Sequence, residues 1–211
     1  MATATLQGGG NLARPRANIR VDLRVIADLI ADNARVLDIG CGDGALLDYL
    51  QHFKQVDARG IEISQAGVNA CVAQGLSVIQ GDAETDLRHY PSAAFDYVIL
   101  SQTLQATYDP KGVLEQLVRI GRRAVVSFPN FGVWHVRLRL LASGRMPVTD
   151  SLDTAWYETP NIHHVTIRDF RALVAERGIK VEAAWFLTGD RQTGAAAAAW
   201  RAEHAVFLLS R

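Results

Sequence analysis

The sequence predicts an α/β fold built on a doubly wound, mostly parallel sheet, and three features of the chain favour it. Short β-branched runs alternate with segments of helical hydrophobic spacing, as in successive βαβ units. One run, FDYVILSQ (95–102), is apolar almost throughout, as expected of a central strand covered on both faces. Glycines close several helical segments. Crossovers in such sheets are right-handed. Ligands of doubly wound sheets bind at the carboxyl ends of the strands, so we expect the functional site there.

Each element has its own signal. Residues 19–31 carry apolar side chains at intervals of three and four, with Asn18 as a candidate cap, and predict an amphipathic helix. The run RVLDI (35–39) predicts a strand that ends at Gly40, and 45–53 returns to helical spacing. The same reasoning predicts strands over 58–63, 76–82, 95–102, 123–129, 179–187 and 203–210, and helices over 65–74, 112–120, 133–143 and 167–178. Residues 144–165 are predicted to be loop-rich, and the alanine-rich insertion at 188–202 disordered or poorly ordered.

Composition narrows the class of protein. The 211 residues are 49% hydrophobic and 21% charged, which predicts one domain over 18–211 after a flexible tail at 1–17. A net charge of zero gives no general attraction to nucleic acid or an anionic membrane. Two cysteines fit neither a metal-ligand spacing nor a disulfide framework, and no stretch has the length of a signal peptide core or a membrane span. We therefore expect a cytoplasmic protein with reduced thiols and no metal.

The segment VLDIGCGDG carries the first chemical signal. Gly40, Gly42 and Gly44 allow a tight turn after a strand and let a ligand lie against bare backbone amides. Spacing alone leaves open a dinucleotide-dependent oxidoreductase. Asp38 and Asp43 would repel a pyrophosphate, however, whereas S-adenosylmethionine (SAM) has no phosphate and carries a sulfonium and an ammonium. The acids around the turn therefore favour SAM.

Two further positions follow the next strands. Glu62 ends the second strand about 20 residues after the glycine turn, where a carboxylate can accept both ribose hydroxyls. Asp82 follows the third strand, where it can accept from an adenine amine while the Ala83 amide faces a ring nitrogen. A single acid at a strand end is more often a helix cap or a solvated residue. The joint order of these residues predicts an adenosyl cofactor, SAM or S-adenosylhomocysteine.

These motifs resemble the class I SAM-dependent methyltransferases from about residue 20 onward. Within them, the chain is similar to the MetW family of methionine biosynthesis proteins through GLSVIQGDAETDL, FDYVILSQTLQAT, SFPNFGVWHVRLRLLASGRMPVTD and WYETPNIHHVTIRDF. The resemblance implies a Rossmann-like sheet of seven strands with the last antiparallel, a transferase fold, and association with homoserine O-acyltransferase as an activating partner. It also implies a cofactor site made of Asp38, Gly40, Cys41, Gly42, Asp43, Gly44, Glu62, Ile63, Asp82, Ala83 and Ser101.

Catalysis has weaker signals. The segment 129–164 leaves the sheet where a methyl acceptor would bind, and its His135 or His163 could act as a general base. Packed or capping roles explain both histidines as well. Whether the chain is an active methyltransferase on a small-molecule acceptor therefore stays open, because transfer from a sulfonium needs little acid–base help.

Two residue groups have two interpretations each. One group is Arg137, Arg139 and Arg145 with Arg122 and Arg123, which could bind an acidic metabolite or an acidic partner surface, or form a solvated face. Trp134 and Trp156 could fill the core or anchor an interface.

Overall fold

The computed structural model describes residues 19–149, 152 and 154–211. The predicted tail at 1–17, the Asn18 cap and the first residue of the predicted domain lie outside the described residues. The helices are α1 Val21–Leu29, α2 Ala45–Lys54, α3 Gln65–Ala73, α4 Ala83–Asp86, α5 Pro110–Ile120, α6 Trp134–Ser143, α7 Ile167–Glu176 and α8 Ala198–Arg201. The strands are β1 Arg35–Ile39, β2 Asp57–Glu62, β3 Ser77–Gln80, β4 Phe95–Ser101, β5 Gly121–Pro129, β6 Lys180–Thr188, β7 Arg191–Gln192 and β8 His204–Ser210.

One sheet runs through the described residues in the order β3-β2-β1-β4-β5-β8-β6-β7. The pairs from β3 to β5 are parallel, and β8 lies antiparallel between β5 and β6. This confirms the mostly parallel sheet with an antiparallel last strand. The count of seven strands was one short, because the two-residue β7 pairs with the end of β6.

The two faces of the sheet are covered by separate apolar clusters. Phe128, Phe170 and Phe207 stack within the cluster beneath α5 and α7, with ring centroids 4.7 to 5.8 Å apart. Ile26 and Leu47, from α1 and α2, belong to the cluster on the other face. Helices cover both faces of the sheet, which explains why the central strand β4 is apolar almost throughout.

The insertion at 188–202 is ordered, so the prediction of disorder was wrong. It forms β7, a 3-10 turn at Ala195–Ala197 and α8. Alanine is a strong helix former, and Ala198 and Ala202 are small enough to be fully buried against the rest of the fold. The Nδ2 of Asn130, at the end of β5, donates to the carbonyl of Ala202 at 2.8 Å.

Helix α5 begins earlier than predicted. Asp109 caps α5 by accepting from the Gly112 amide at 3.0 Å, and Pro110 occupies the first turn, so α5 begins two residues early. The short helix α4 was not predicted. Among the described residues no helix has the length and apolarity needed to cross a membrane.

Candidate functional site

The glycine turn between β1 and α2 adopts a backbone that side chains rarely accept. Gly40, Gly42 and Gly44 have φ of 70°, 58° and 83°. The amides of Gly40 and Cys41 donate to the carbonyl of Ile61 at 2.8 and 3.2 Å, which holds the turn against β2. A Cβ on Gly44 would lie 2.4 Å from a Leu76 methyl. A Cβ on Gly42, by contrast, would have no heavy atom within 4 Å apart from those of its chain neighbours. The turn is thus closed at its base and open at Gly42, where a ligand can approach the backbone.

Asp38 lies in the middle of the sheet at the foot of this turn, paired in register with Gly60 and Ile99. It is only 3% exposed, and its Oδ1 has no hydrogen-bond partner among the described residues. Burial, together with the charge of the nearby Glu62, raises the pKa of Asp38 to about 7, and Arg20 opposes the shift. A buried carboxyl oxygen without a donor is costly, so this position favours a cationic or hydrogen-bond-donating ligand.

Glu62 is buried at the end of β2 and holds two backbone amides. Its Oε2 accepts from Gly42 at 2.9 Å, and its Oε1 accepts from Ser64 at 2.8 Å. The residue therefore fixes the glycine turn to the next strand. A carboxylate has about four acceptor positions, so both oxygens keep a lone pair for ribose hydroxyls.

The other two predicted acids lie at the starts of helices. Asp82 caps α4, with its Oδ1 accepting from the Glu84 amide at 2.8 Å, and its own amide donates to Asp86 Oδ2 at 2.9 Å. Its structural role is therefore the helix cap that the sequence left as an alternative. Asp43 is exposed and accepts from the Ala45 amide at 3.2 Å. Ala83 is the first residue of α4.

Three remaining predicted residues have different surroundings. Cys41 is buried below the turn, 2.6 Å from where a Cβ on Gly60 would lie. Burial, with the charge of Asp38, raises the pKa of the Cys41 thiol, so this side chain packs rather than reacts. Ile63 is exposed just beyond β2, and the hydroxyl of Ser101 lies 3.0 Å from that of Ser127.

A cleft of about 650 Å³ opens at the same edge of the sheet. It is lined by the start of α1, the residues after β4, the end of β5, residues 154–161, the turn after β6 and the start of β8. Arg20 makes a bidentate ion pair with the buried Asp22, both bonds at 3.1 Å. Gln102 Nε2 lies 3.4 Å from Asp22 Oδ2 and 3.2 Å from His204 Nδ1. Burial lowers the pKa of His204, although Asp22 opposes the shift.

Sequence reasoning missed this polar cluster. His204 reaches the carboxyl edge only because β8 runs antiparallel between β5 and β6. Gln102 reaches it because its backbone has φ of 54°, a conformation uncommon for glutamine. The signal available was the antiparallel last strand itself, which brings the first residue of β8 beside the last of β5.

The two catalytic candidates have different surroundings. His163 donates its backbone amide to the Gln105 carbonyl at 2.9 Å, and its Nε2 is buried without a partner among the described residues. His135 lies half-buried in the first turn of α6, with its ring 5.7 Å from that of Trp134. The cleft is lined by Pro129 and Asn161 but by neither histidine. Within the described ranges, no group of three potential ligand side chains could hold a metal ion.

Comparison with known proteins places these features in context. The family model described as "Methionine biosynthesis protein MetW" matches residues 20–209. A "Bifunctional methionine biosynthesis protein MetXA/MetW" from Rhodopirellula baltica is 32% identical over 182 residues, which are 82% of this chain. The match spans only 29% of that relative's length.

Solved structures share the fold. A SAM-dependent methyltransferase from Archaeoglobus fulgidus superposes with a TM-score of 0.66 at 14% identity, covering 90% of this chain and 91% of its own. The [4+2]-cyclase SpnF superposes with a TM-score of 0.65 at 15% identity, covering 90% and 80%. Since one of these neighbours is titled a cyclase, the fold does not by itself establish methyl transfer.

Proposed function

The chain belongs to the MetW family of methionine biosynthesis proteins, and from this premise we propose that it binds an adenosyl ligand and acts on a homoserine O-acyltransferase partner. The ligand is SAM or S-adenosylhomocysteine. The chain's free thiols, Cys41 and Cys71, suit a reducing compartment, so we place this activity in the cytoplasm.

The observation that carries the proposal is the unpartnered carboxyl oxygen of Asp38 below an open glycine turn. With an adenosyl ligand bound, this oxygen would accept a hydrogen bond from the ligand's ammonium, whose positive charge would stabilise the ionised carboxylate. Glu62 would accept the ribose hydroxyls, and Asp82 and Ala83 would contact the adenine, with the exposed Ile63 as an apolar wall. A dinucleotide would instead bring phosphate charge to the same buried acid. SAM supplies an electrophilic methyl group when bound.

The partner is supported by the relative from Rhodopirellula baltica, whose name joins MetXA and MetW in one chain. Fusion holds two domains at high effective concentration, which is useful when the domains act together. In the separate chains, binding of the adenosyl ligand would report the supply of a methionine-derived product to the acyltransferase.

A second function is favoured by the cleft at the ends of β4 and β5. Its volume of about 650 Å³ is enough for a small-molecule methyl acceptor, and Gln102 and His204 provide polar groups at its wall. In that function the chain orients an acceptor and excludes water while the methyl group is transferred in line.

The test uses the purified chain and the acyltransferase from the same source. Calorimetric titration should give binding of SAM and S-adenosylhomocysteine but not of NAD. Binding of NAD alone would contradict the cofactor assignment. Adding the chain should change acyltransferase turnover, and no association with no change in turnover would remove the partner role. Release of S-adenosylhomocysteine over a panel of metabolites would establish the second function.

A further inference from the structure

Helix α6 presents apolar side chains to solvent along a continuous stripe. Trp134, Leu138 and Leu141 are 44%, 54% and 85% exposed, and their spacing of four and three residues puts them on one side of the helix. Val136 is the one buried residue of α6. A helix that packs on its domain through one face normally carries polar residues on the other. The outer stripe of α6 therefore lacks a partner within the described residues.

Two pockets lined by residues in or flanking α6 add further exposed apolar side chains. Trp134 and the exposed Trp200 line one groove, and the guanidinium of Arg137 lies 5.2 Å from the Trp200 ring. Met146, in the loop after α6, and the exposed Trp156 line a second, small pocket. We name as the α6 face the residues Trp134, Leu138, Leu141, Met146, Trp156 and Trp200. Exposed apolar surface of this extent is typical of a protein-binding site, and tryptophan is enriched at binding hot spots.

The charges on α6 and in the loop that follows it, up to residue 149, have one sign. Residues 130–149 contain Arg137, Arg139 and Arg145 and no aspartate or glutamate. Arg139 donates to the Val148 carbonyl at 2.7 Å, which holds the loop after α6 against the helix. All three arginines are exposed. A second copy of this chain docked about a twofold axis would bring these cations together, which disfavours a homodimer here.

We propose that the α6 face is the surface that docks the homoserine O-acyltransferase, through an apolar patch on that enzyme with an acidic rim. The inference rests on the proposed function and names the contact through which it is exerted. Two observations select this occupant over a second copy: the fused relative, whose name joins MetXA and MetW in one chain, and the positive charge of α6 and of residues 144–149.

The test places charge on the stripe without disturbing the adenosyl site. In the double variant Leu138→Glu/Leu141→Glu, glutamate keeps helix propensity and both positions are exposed. The matched control is Val72→Glu on α3, where the side chain is 59% exposed. Helix α3 packs on β2 and β3, whereas α6 follows β5, and β1 and β4 lie between β2 and β5 in the sheet. Circular dichroism and calorimetric titration with SAM should give the same results for both variants as for the wild type.

Affinity for the purified acyltransferase is measured by calorimetry and by light scattering after size exclusion. We expect at least a roughly 30-fold loss for the double variant, as for removal of hot-spot residues, and no more than a twofold change for Val72→Glu. Wild-type association that survives the double substitution would overturn this docking surface while leaving the proposed function intact. A wild-type homodimer that the double substitution dissolves would also overturn it. Failure of the wild type to associate would overturn the proposed function itself.

Discussion

Replacing Asp38 by asparagine separates the effect of this buried acid on folding stability from its effect on ligand binding. The wild-type side chain is ionised in the unfolded chain above its ordinary pKa of 3.8, but in the folded protein only above about 7. The folded state therefore binds the extra proton between these values, and the free energy of unfolding falls as pH rises through that window. At 1.36 kcal/mol per unit, the loss reaches about 4 kcal/mol above pH 7 as an upper bound.

Asparagine does not ionise, so the Asp38→Asn protein should lack this loss. The difference in unfolding free energy between variant and wild type should be small below pH 4 and grow to a few kcal/mol above pH 7. The low pKa of His204 acts in the opposite direction, because folded-state stability is lost as pH falls through its unfolded value. Since both proteins contain His204, its effect cancels in the difference.

Ligand binding should change in the opposite sense to stability. Loss of the charged partner should weaken SAM binding roughly 10- to 100-fold, as for a hydrogen bond to a charged group. Wild-type affinity should rise between pH 6 and 8 as Asp38 ionises, and this rise should vanish in the variant. The assays are urea denaturation across pH 4 to 8.5 and calorimetric titration with SAM. Parallel pH–stability curves for the two proteins would refute the assignment of a raised pKa to Asp38.

Three other changes give distinct outcomes. Gly42→Ala and its control Gly178→Ala both place a side chain at positive φ with open space around it, so each should lower the free energy of unfolding in urea by about 1 kcal/mol. Only Gly42→Ala should lose SAM binding. Equal SAM affinities of the two variants would contradict the proposal that the ligand approaches the backbone at Gly42. Glu62→Gln should lower SAM affinity, and it should lower the free energy of unfolding by about 1–3 kcal/mol because an amide nitrogen replaces an oxygen that accepts from a backbone amide. An unchanged melting temperature and an unchanged SAM affinity by calorimetry would count against this role. Asn130→Ala should cost about 2–4 kcal/mol by leaving buried backbone groups of three segments without partners, and a melting temperature within 2 °C of wild type would argue otherwise.

The sequence predicted the site best where the signal is local. Gly40, Gly42 and Gly44 lie within five residues, and a strand followed by glycines and a helix can form only a few turns. Asp38 and Glu62 lie near the carboxyl ends of β1 and β2, as predicted, because each belongs to a strand of clear pattern. Their binding roles remain predictions.

Other features depend on contacts between distant segments. The cluster of Asp22, Gln102 and His204 joins residues from the two ends of the domain, and no spacing in the sequence reveals it. The order of the alanine-rich insertion depends on buried contacts of Ala198 and on the hydrogen bond from Asn130, 72 residues away. The prediction of disorder relied on the low complexity of this segment. It was wrong because composition carries no information about tertiary burial.

The position of β8 between β5 and β6 affects how the chain can be synthesised and folded. While the ribosome is still making residues before His204, the finished β5 has an unpaired edge, and β6 has no neighbour on that side. Such edges readily pair with those of other nascent chains. A ribosome stalled before β8 should therefore release a species that aggregates, and chaperone binding should persist until this strand has emerged from the exit tunnel.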